Sequence, residues 1–199
     1  MADDQTFRLI LILGMAAVLP VGIYHRVRSK ESREKLDRRQ EGLFILLTLR
    51  PISLVGMGGL LTFVASPARL AWSSVPLPVW LRWAGVGIGI AGGVLLIWTL
   101  RNLGTNITDT VVTRRRHTLV TTGPYQFVRH PFYVASALAY AANALATANW
   151  FLALMGGLAM ALLVLRTTIE EAHLVNRFGD DYARYMEQTG RFFPRAGSG

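Results

Sequence analysis

The sequence predicts an all-α protein that crosses a lipid bilayer several times, and three features of the chain lead there. Of its 199 residues, 52% are hydrophobic and 17% charged, against roughly 45–50% apolar and 25% charged in a soluble domain. The apolar residues are gathered into long stretches without charge, where a soluble core would alternate them with polar faces. The basic residues behind the formal charge of +9 cluster in alternate connecting segments, the pattern of cytoplasmic loops. The expected fold is a single membrane domain of about five helices, the last two forming a C-terminal hairpin. A cytoplasmic amphipathic helix follows them.

The first apolar stretch, residues 9–24, follows Asp3, Asp4 and Arg8. It lacks the basic flank and small-residue cleavage site of a secretory signal, so it reads as a retained first span. The second, residues 42–68, is interrupted by Arg50-Pro51, where a span is expected to kink or to begin at the interface. The third, residues 83–100, is uncharged and contains Gly85, Gly87, Gly89, Gly92 and Gly93. Glycine at that density lets neighbouring helices approach closely inside a membrane.

Residues 131–165 contain no charged side chain. The run is too long for one helix across a core of roughly 30 Å and short for two. The polar stretch 143–149 divides it, so a hairpin with short, tilted or partly embedded arms is expected. Beyond it, residues 166–190 mix charge with apolar residues spaced three or four apart. That spacing predicts an amphipathic helix against the cytoplasmic side, broken at Gly179. Residues 196–199 read as a disordered tail.

Orientation follows from the basic residues of the short loops. Residues 25–41 carry seven and residues 101–130 carry five, whereas residues 66–82 hold only Arg69 and Arg82 and the hairpin turn holds none. The N-terminus is therefore expected outside and the C-terminal region in the cytoplasm. Arg114, Arg115 and Arg116 beside a span suit anionic lipid headgroups, and the five tryptophans suit interface anchors. Nucleic acid is not an expected partner. The chain has no cysteine, which excludes disulfides, thiolate nucleophiles and cysteine-ligated zinc. His25, His117, His130 and His173 show no metal-ligand spacing, and no metal is expected.

Polar residues concentrate in two stretches flanking the uncharged hairpin. Residues 117–133 read HTLVTTGPYQFVRHPFY, and residues 166–171 read RTTIEE. A hairpin returns to the face it left, so Arg129 and His130 are expected near Arg166 and Glu170. Gly123-Pro124 is a turn signal, and Pro131 opens a helix at its permitted first turn. Arg166 and Glu170, four apart on a helix, face the same side; a cation beside a carboxylate at a bilayer surface can hold a zwitterion. The plain structural alternatives are a helix-end role for His130, dipole partnership for the two acids and snorkelling for Arg166. Of the two acids, Glu171 is expected to be the solvated one.

At these residues the chain resembles the isoprenylcysteine carboxyl methyltransferase family, membrane enzymes that use S-adenosylmethionine. The resemblance spans residues 100–194. It rests on His-x-Leu-Val-x-x-Gly-Pro-Tyr from His117, Arg-His-Pro-x-Tyr from Arg129, Arg166-x-x-x-Glu170-Glu171, and Phe178-Gly179-Asp180-Asp181-Tyr182. Val134 and Ala135 stand where the family favours a glycine or other small residue, which narrows the site without removing a polar group.

The resemblance implies cofactor contacts at His117, Thr118, Leu119, Val120, Tyr125, His130, Pro131, Phe132, Tyr133 and Glu170. It implies that Arg166 binds the methyl acceptor and that Arg166 and Glu170 form the catalytic pair. It also implies a division into membrane helices (1–100) and a catalytic region (101–195) of loop, hairpin and C-terminal helix. The expected activity is methyl transfer from S-adenosylmethionine to a lipophilic acceptor such as a prenylated cysteine carboxylate. The site would face the cytoplasm at the cell's inner membrane, with membrane lipids as neighbours. A carboxylate acceptor is already ionised near neutral pH and needs no base; a phospholipid amine or a small thiol would need one. An NADPH-dependent membrane reductase of related architecture and a non-catalytic scaffold are the readings from other classes.

Overall fold

The computed structural model describes residues 2–30, 43–103 and 119–195. Among them are six α-helices: α1 (Ala2–Lys30), α2 (Leu43–Ala65), α3 (Val79–Leu103), α4 (Pro131–Thr147), α5 (Trp150–Phe178) and α6 (Asp180–Gln188). Short 3-10 segments lie at Pro67–Ser73 and Gly123–Gln126, and the described residues form no β-strand. The chain is a multi-pass helical membrane protein. Among the described residues four helices, α1, α2, α3 and α5, are long and apolar enough to cross a bilayer. The fifth apolar helix, α4, has 17 residues, about 25 Å at 1.5 Å per residue, so it is the short arm expected of the hairpin.

α2 runs through Arg50-Pro51 as one helix, with Arg50 exposed, so the span does not begin there. One further detail differs from the sequence expectation. The stretch after Arg166 is not a separate helix: α5 continues unbroken from Trp150 to Phe178. Composition changes at Arg166 but helical periodicity does not, so the span carries its polar end out of the apolar layer as one rod. The break falls at Gly179, whose φ of 54° suits a residue without Cβ. α6 follows with Asp180 and Asp181 in its first turn, where negative charge complements the helix dipole.

Packing depends on small residues. A Cβ added to Gly85 would lie 2.6 Å from Leu145 Cβ, and one on Gly92 would lie 2.9 Å from Leu138 Cβ. The two positions are seven apart and share a face of α3, so α4 packs directly on the α3 backbone there. Gly59 of α2 meets Phe151 and Leu152 of α5 in the same way. Lipid tails are as apolar as leucine, so close van der Waals contact of this kind, more than hydrophobic burial, holds membrane helices together.

The hairpin turn is built from Ala148 in the left-handed region, with φ 48°, and Asn149. The Asn149 side chain accepts from Leu152 N at 3.1 Å and donates to Leu70 O at 3.2 Å and Ser73 Oγ at 2.8 Å. It thereby caps α5 and ties the hairpin to the α2–α3 connection. Arg82 of α3 joins the same end, donating to Ala146 O at 3.0 Å and pairing with Asp4 of α1 at 3.0 Å. The polar groups of residues 119–133 and 166–191 gather at the opposite end of the bundle.

Candidate active site

The site is assembled where the C-terminal end of α3, the loop before α4 and the polar end of α5 converge. Gly123, with φ 62°, opens the 3-10 turn that carries Tyr125. A Cβ there would meet the Asn102 side chain of α3, so glycine suits the turn by its backbone angle and lets it sit close against α3. His130 is the N-cap residue of α4 and Pro131 its first residue, a position where the N–H that proline lacks would have no intrahelical partner anyway.

Tyr133, one turn into α4, donates its hydroxyl to Glu170 Oε2 on α5 at 2.7 Å. Its ring stacks on His130, with centroids 5.3 Å apart and planes 15° from parallel. Tyr125 is half-buried beside them; burial first, then the negative charge of Glu170, raises its phenol above the usual tyrosine range. It is therefore a neutral hydroxyl at any physiological pH. Pro131 is buried and Phe132 exposed, with its ring centroid 6.2 Å from that of Tyr133 in an edge-on arrangement. Arg166 is half-buried on α5 one turn before Glu170, and Leu119 and Val120 are half-buried in the segment leading to the turn. His117, Thr118 and the Arg114–Arg115–Arg116 run lie outside the described residues. The structure thus brings Tyr125, His130, Tyr133 and Glu170 together.

The two adjacent acids have exchanged their expected environments. Glu171, expected to be solvated, is 4% exposed. Its Oε1 accepts from Arg129 Nε at 2.9 Å and lies 3.2 Å from His130 Nε2, while Arg191 Nη2 pairs with Oε2. Arg129 and His130 therefore meet Glu171 rather than Glu170. The physical reason is compensation: a carboxylate withdrawn from water needs charged hydrogen-bond donors, and two arginines supply them here. Glu170, the half-buried member, has one oxygen on the Tyr133 hydroxyl, and an ionised carboxylate has about four acceptor directions.

The C-terminal segment completes the enclosure. Tyr185 of α6 donates to Tyr125 O at 2.6 Å. Arg129 N donates to Gly190 O at 2.8 Å and His130 N to Arg191 O at 3.1 Å. Arg191 and Tyr185 were not singled out by the sequence motifs. For Tyr185 a signal existed, since Tyr182 and Tyr185 are three apart on α6 and both are buried.

A fit to S-adenosylmethionine can be judged on these groups. The ligand offers an adenine, a sulfonium and an amino acid zwitterion. The aromatic rings of His130, Tyr133 and Tyr125 suit flat or cationic parts, and Glu170 suits an ammonium.

The comparisons with known proteins agree with the motif resemblance. The chain is 37% identical over 82 residues to the nickel-cobalt-cadmium resistance protein NccN of Alcaligenes xylosoxydans xylosoxydans, covering 41% of this chain and 38% of that one. It is 33% identical over 94 residues to protein-S-isoprenylcysteine O-methyltransferase of Schizosaccharomyces pombe, covering 46% of this chain and 40% of that one. Among solved structures it resembles the eukaryotic intramembrane Ras methyltransferase ICMT (isoprenylcysteine carboxyl methyltransferase), with a TM-score of 0.50 and 28% identity over 58% of this chain and 42% of that one. The chain spans about two fifths of the length of these relatives. The family model described as phospholipid methyltransferase matches residues 80–181, about half of the chain, and the chain belongs to that family.

Proposed function

We propose that this protein is a membrane methyltransferase that uses S-adenosylmethionine to methylate a lipophilic acceptor, with residues 101–195 as its catalytic region. The observation that carries the reading is the hydrogen bond from Tyr133 to Glu170, which joins the Arg-His-Pro-x-Tyr and Arg-x-x-x-Glu-Glu motifs at one end of the helical bundle. Bound S-adenosylmethionine supplies a methyl group activated by its sulfonium. His130, Tyr133 and Tyr125 would hold it on their rings and hydroxyls, and Glu170 would accept from its ammonium.

The acceptor favoured is a carboxylate, such as that of the prenylated cysteine named in the relatives' activity. Arg166 shares a face of α5 with Glu170 and has the planar fork that orients a carboxylate without releasing a proton. Such an acceptor needs no general base, so alignment and exclusion of water are what the protein must provide. A phospholipid amine is the second reading, favoured by the family match over residues 80–181. The basic residues of the sequence segments 25–41 and 101–130 support a cytoplasmic orientation at the cell's inner membrane.

Calorimetric titration of the detergent-solubilised protein with S-adenosylhomocysteine tests the reading. The wild type is expected to bind, and Glu170→Ala and His130→Ala to bind at least about tenfold more weakly, the loss expected for a hydrogen bond to a charged group. Absence of binding by the wild type, together with binding of NADPH, would replace the proposal with the reductase reading.

A further inference from the structure

Glu171 has no part of its own in the proposed chemistry, yet its carboxylate is held by three side chains from two segments. Arg129 and His130 approach Oε1 from the loop before α4, and Arg191 approaches Oε2 from the strap after α6. Arg129 also donates from Nη1 to Met186 O in the last turn of α6 at 3.1 Å and to Thr189 O at the start of the strap. The same loop and strap are also joined along the backbone between residues 129–130 and 190–191.

We infer that Glu171 is a positioning residue: it latches the Arg129-His130 loop to the C-terminal strap and fixes the tautomer and plane of the His130 imidazole. A carboxylate only accepts hydrogen bonds, so the nitrogen that faces it carries the proton. With Nε2 3.2 Å from Glu171 Oε1, His130 is protonated at Nε2, and in the neutral ring Nδ1 is the acceptor. Glu171 thus holds one edge of the imidazole while Tyr133 holds one face. The neighbouring acids divide the work: Glu170 faces Tyr133 and the ligand site, and Glu171 holds the ring that lines it. This inference rests on the proposed role of His130 in holding S-adenosylmethionine.

Three measurements on the full chain in detergent test it: amide hydrogen exchange, 15N NMR of the imidazoles, and S-adenosylhomocysteine titration. In Glu171→Gln the Arg129 and His130 amides are expected to exchange about tenfold faster, because the charge-assisted bonds that hold loop to strap are lost. The His130 15N shifts should move from their wild-type values as Nε2–H loses its charged acceptor, a change that a purely structural contact would not produce. S-adenosylhomocysteine affinity should fall about tenfold or more. Glu171→Asp, which keeps the charge, should recover part of each. Arg191→Gln, at a partner on the strap that is 38% exposed, should show the same loosening even where Glu171→Gln fails to fold. Combining the two should add little, as expected of one interacting unit. Wild-type exchange and wild-type His130 shifts in both variants would overturn the latch. If the wild type binds no S-adenosylhomocysteine, the proposed function fails, but exchange and 15N shifts still decide the latch.

Discussion

Tyr133 and Glu170, 37 residues apart, meet through one hydrogen bond of 2.7 Å that links the first turn of α4 to the polar end of α5. Asn149 ties the opposite end of the same hairpin. Between those two points α4 lies on the bare backbone of α3 at Gly85 and Gly92, so the hairpin arms have little freedom to slide. A fixed hairpin matters to the site because His130 and Tyr133 belong to one arm and Glu170 to the other. Preorganised groups of this kind need no rearrangement when a ligand arrives.

Removing only the Tyr133 hydroxyl should uncouple the arms at that point. Tyr133→Phe keeps the ring stacked on His130 and leaves Glu170 without its donor. A hydrogen bond to a charged group contributes about 1.5–3 kcal/mol, so S-adenosylhomocysteine affinity should fall at least about tenfold in calorimetry. Unchanged affinity would mean that Tyr133 does not orient Glu170.

The α3–α4 contact predicts a contrast between two glycines of one helix. Gly85→Ala places a methyl 2.6 Å from Leu145 Cβ and 3.0 Å from Ala146 N, whereas the same change at Gly87 meets nothing within 4 Å. Overpacking of a tight contact costs about 1–3 kcal/mol, while alanine favours a helix over glycine by nearly 1 kcal/mol. Thermal unfolding in detergent should therefore show Gly85→Ala destabilised and Gly87→Ala equal to or above wild type. Equal melting temperatures for the two would remove the close-approach argument.

Much of this was legible in the sequence, and the exceptions have a common cause. The uncharged run of residues 131–165 specifies a hairpin because nothing but apolar helix is permitted there, and the glycines of α3 announce close packing through their spacing. The fate of Glu171 was not legible. Its partners Arg129 and Arg191 lie 42 and 20 residues away, and an acid beside another acid at a membrane edge looks solvated until tertiary contacts are known. The unbroken length of α5 was hidden for a related reason. The shift from apolar to mixed composition at Arg166 marks where the helix leaves the apolar layer, not where the helix ends.

The tyrosines around the strap give the protein an alkaline limit. Burial, the largest cause, raises the phenols of Tyr125, Tyr182 and Tyr185 above the usual range. Below the ordinary tyrosine pKa of about 10 they are protonated in both folded and unfolded chains, and stability does not depend on them. Above it the unfolded chain releases those protons and the folded chain retains them, so stability falls as pH rises. Melting temperature should decline steeply above about pH 10, and Tyr182→Phe should make the decline shallower. An equally steep decline in that variant would assign the alkaline transition to other groups.

Arg166 separates the two acceptor chemistries. It stands one turn before Glu170 on α5, about 6 Å along the helix axis, so it can meet the acceptor while Glu170 meets the methyl donor. For a carboxylate acceptor, Arg166→Gln removes a charge-assisted bidentate contact, and kcat/KM should fall about a hundredfold. S-adenosylhomocysteine affinity should stay within about threefold of wild type, because that ligand's ammonium is held elsewhere. Arg166→Lys should recover only part of the loss, since an ammonium keeps the charge but not the planar fork. The rate should also be independent of pH above about pH 5, where the acceptor is ionised. An amine acceptor changes both outcomes: a cation at Arg166 opposes a protonated amine, so Arg166→Gln would leave the rate equal or higher, and the rate would climb with pH as the amine loses its proton. Assaying one prenylcysteine analogue and one phospholipid amine against wild type and Arg166→Gln, each across pH 5–9, distinguishes the two because the mutational and pH effects must change together.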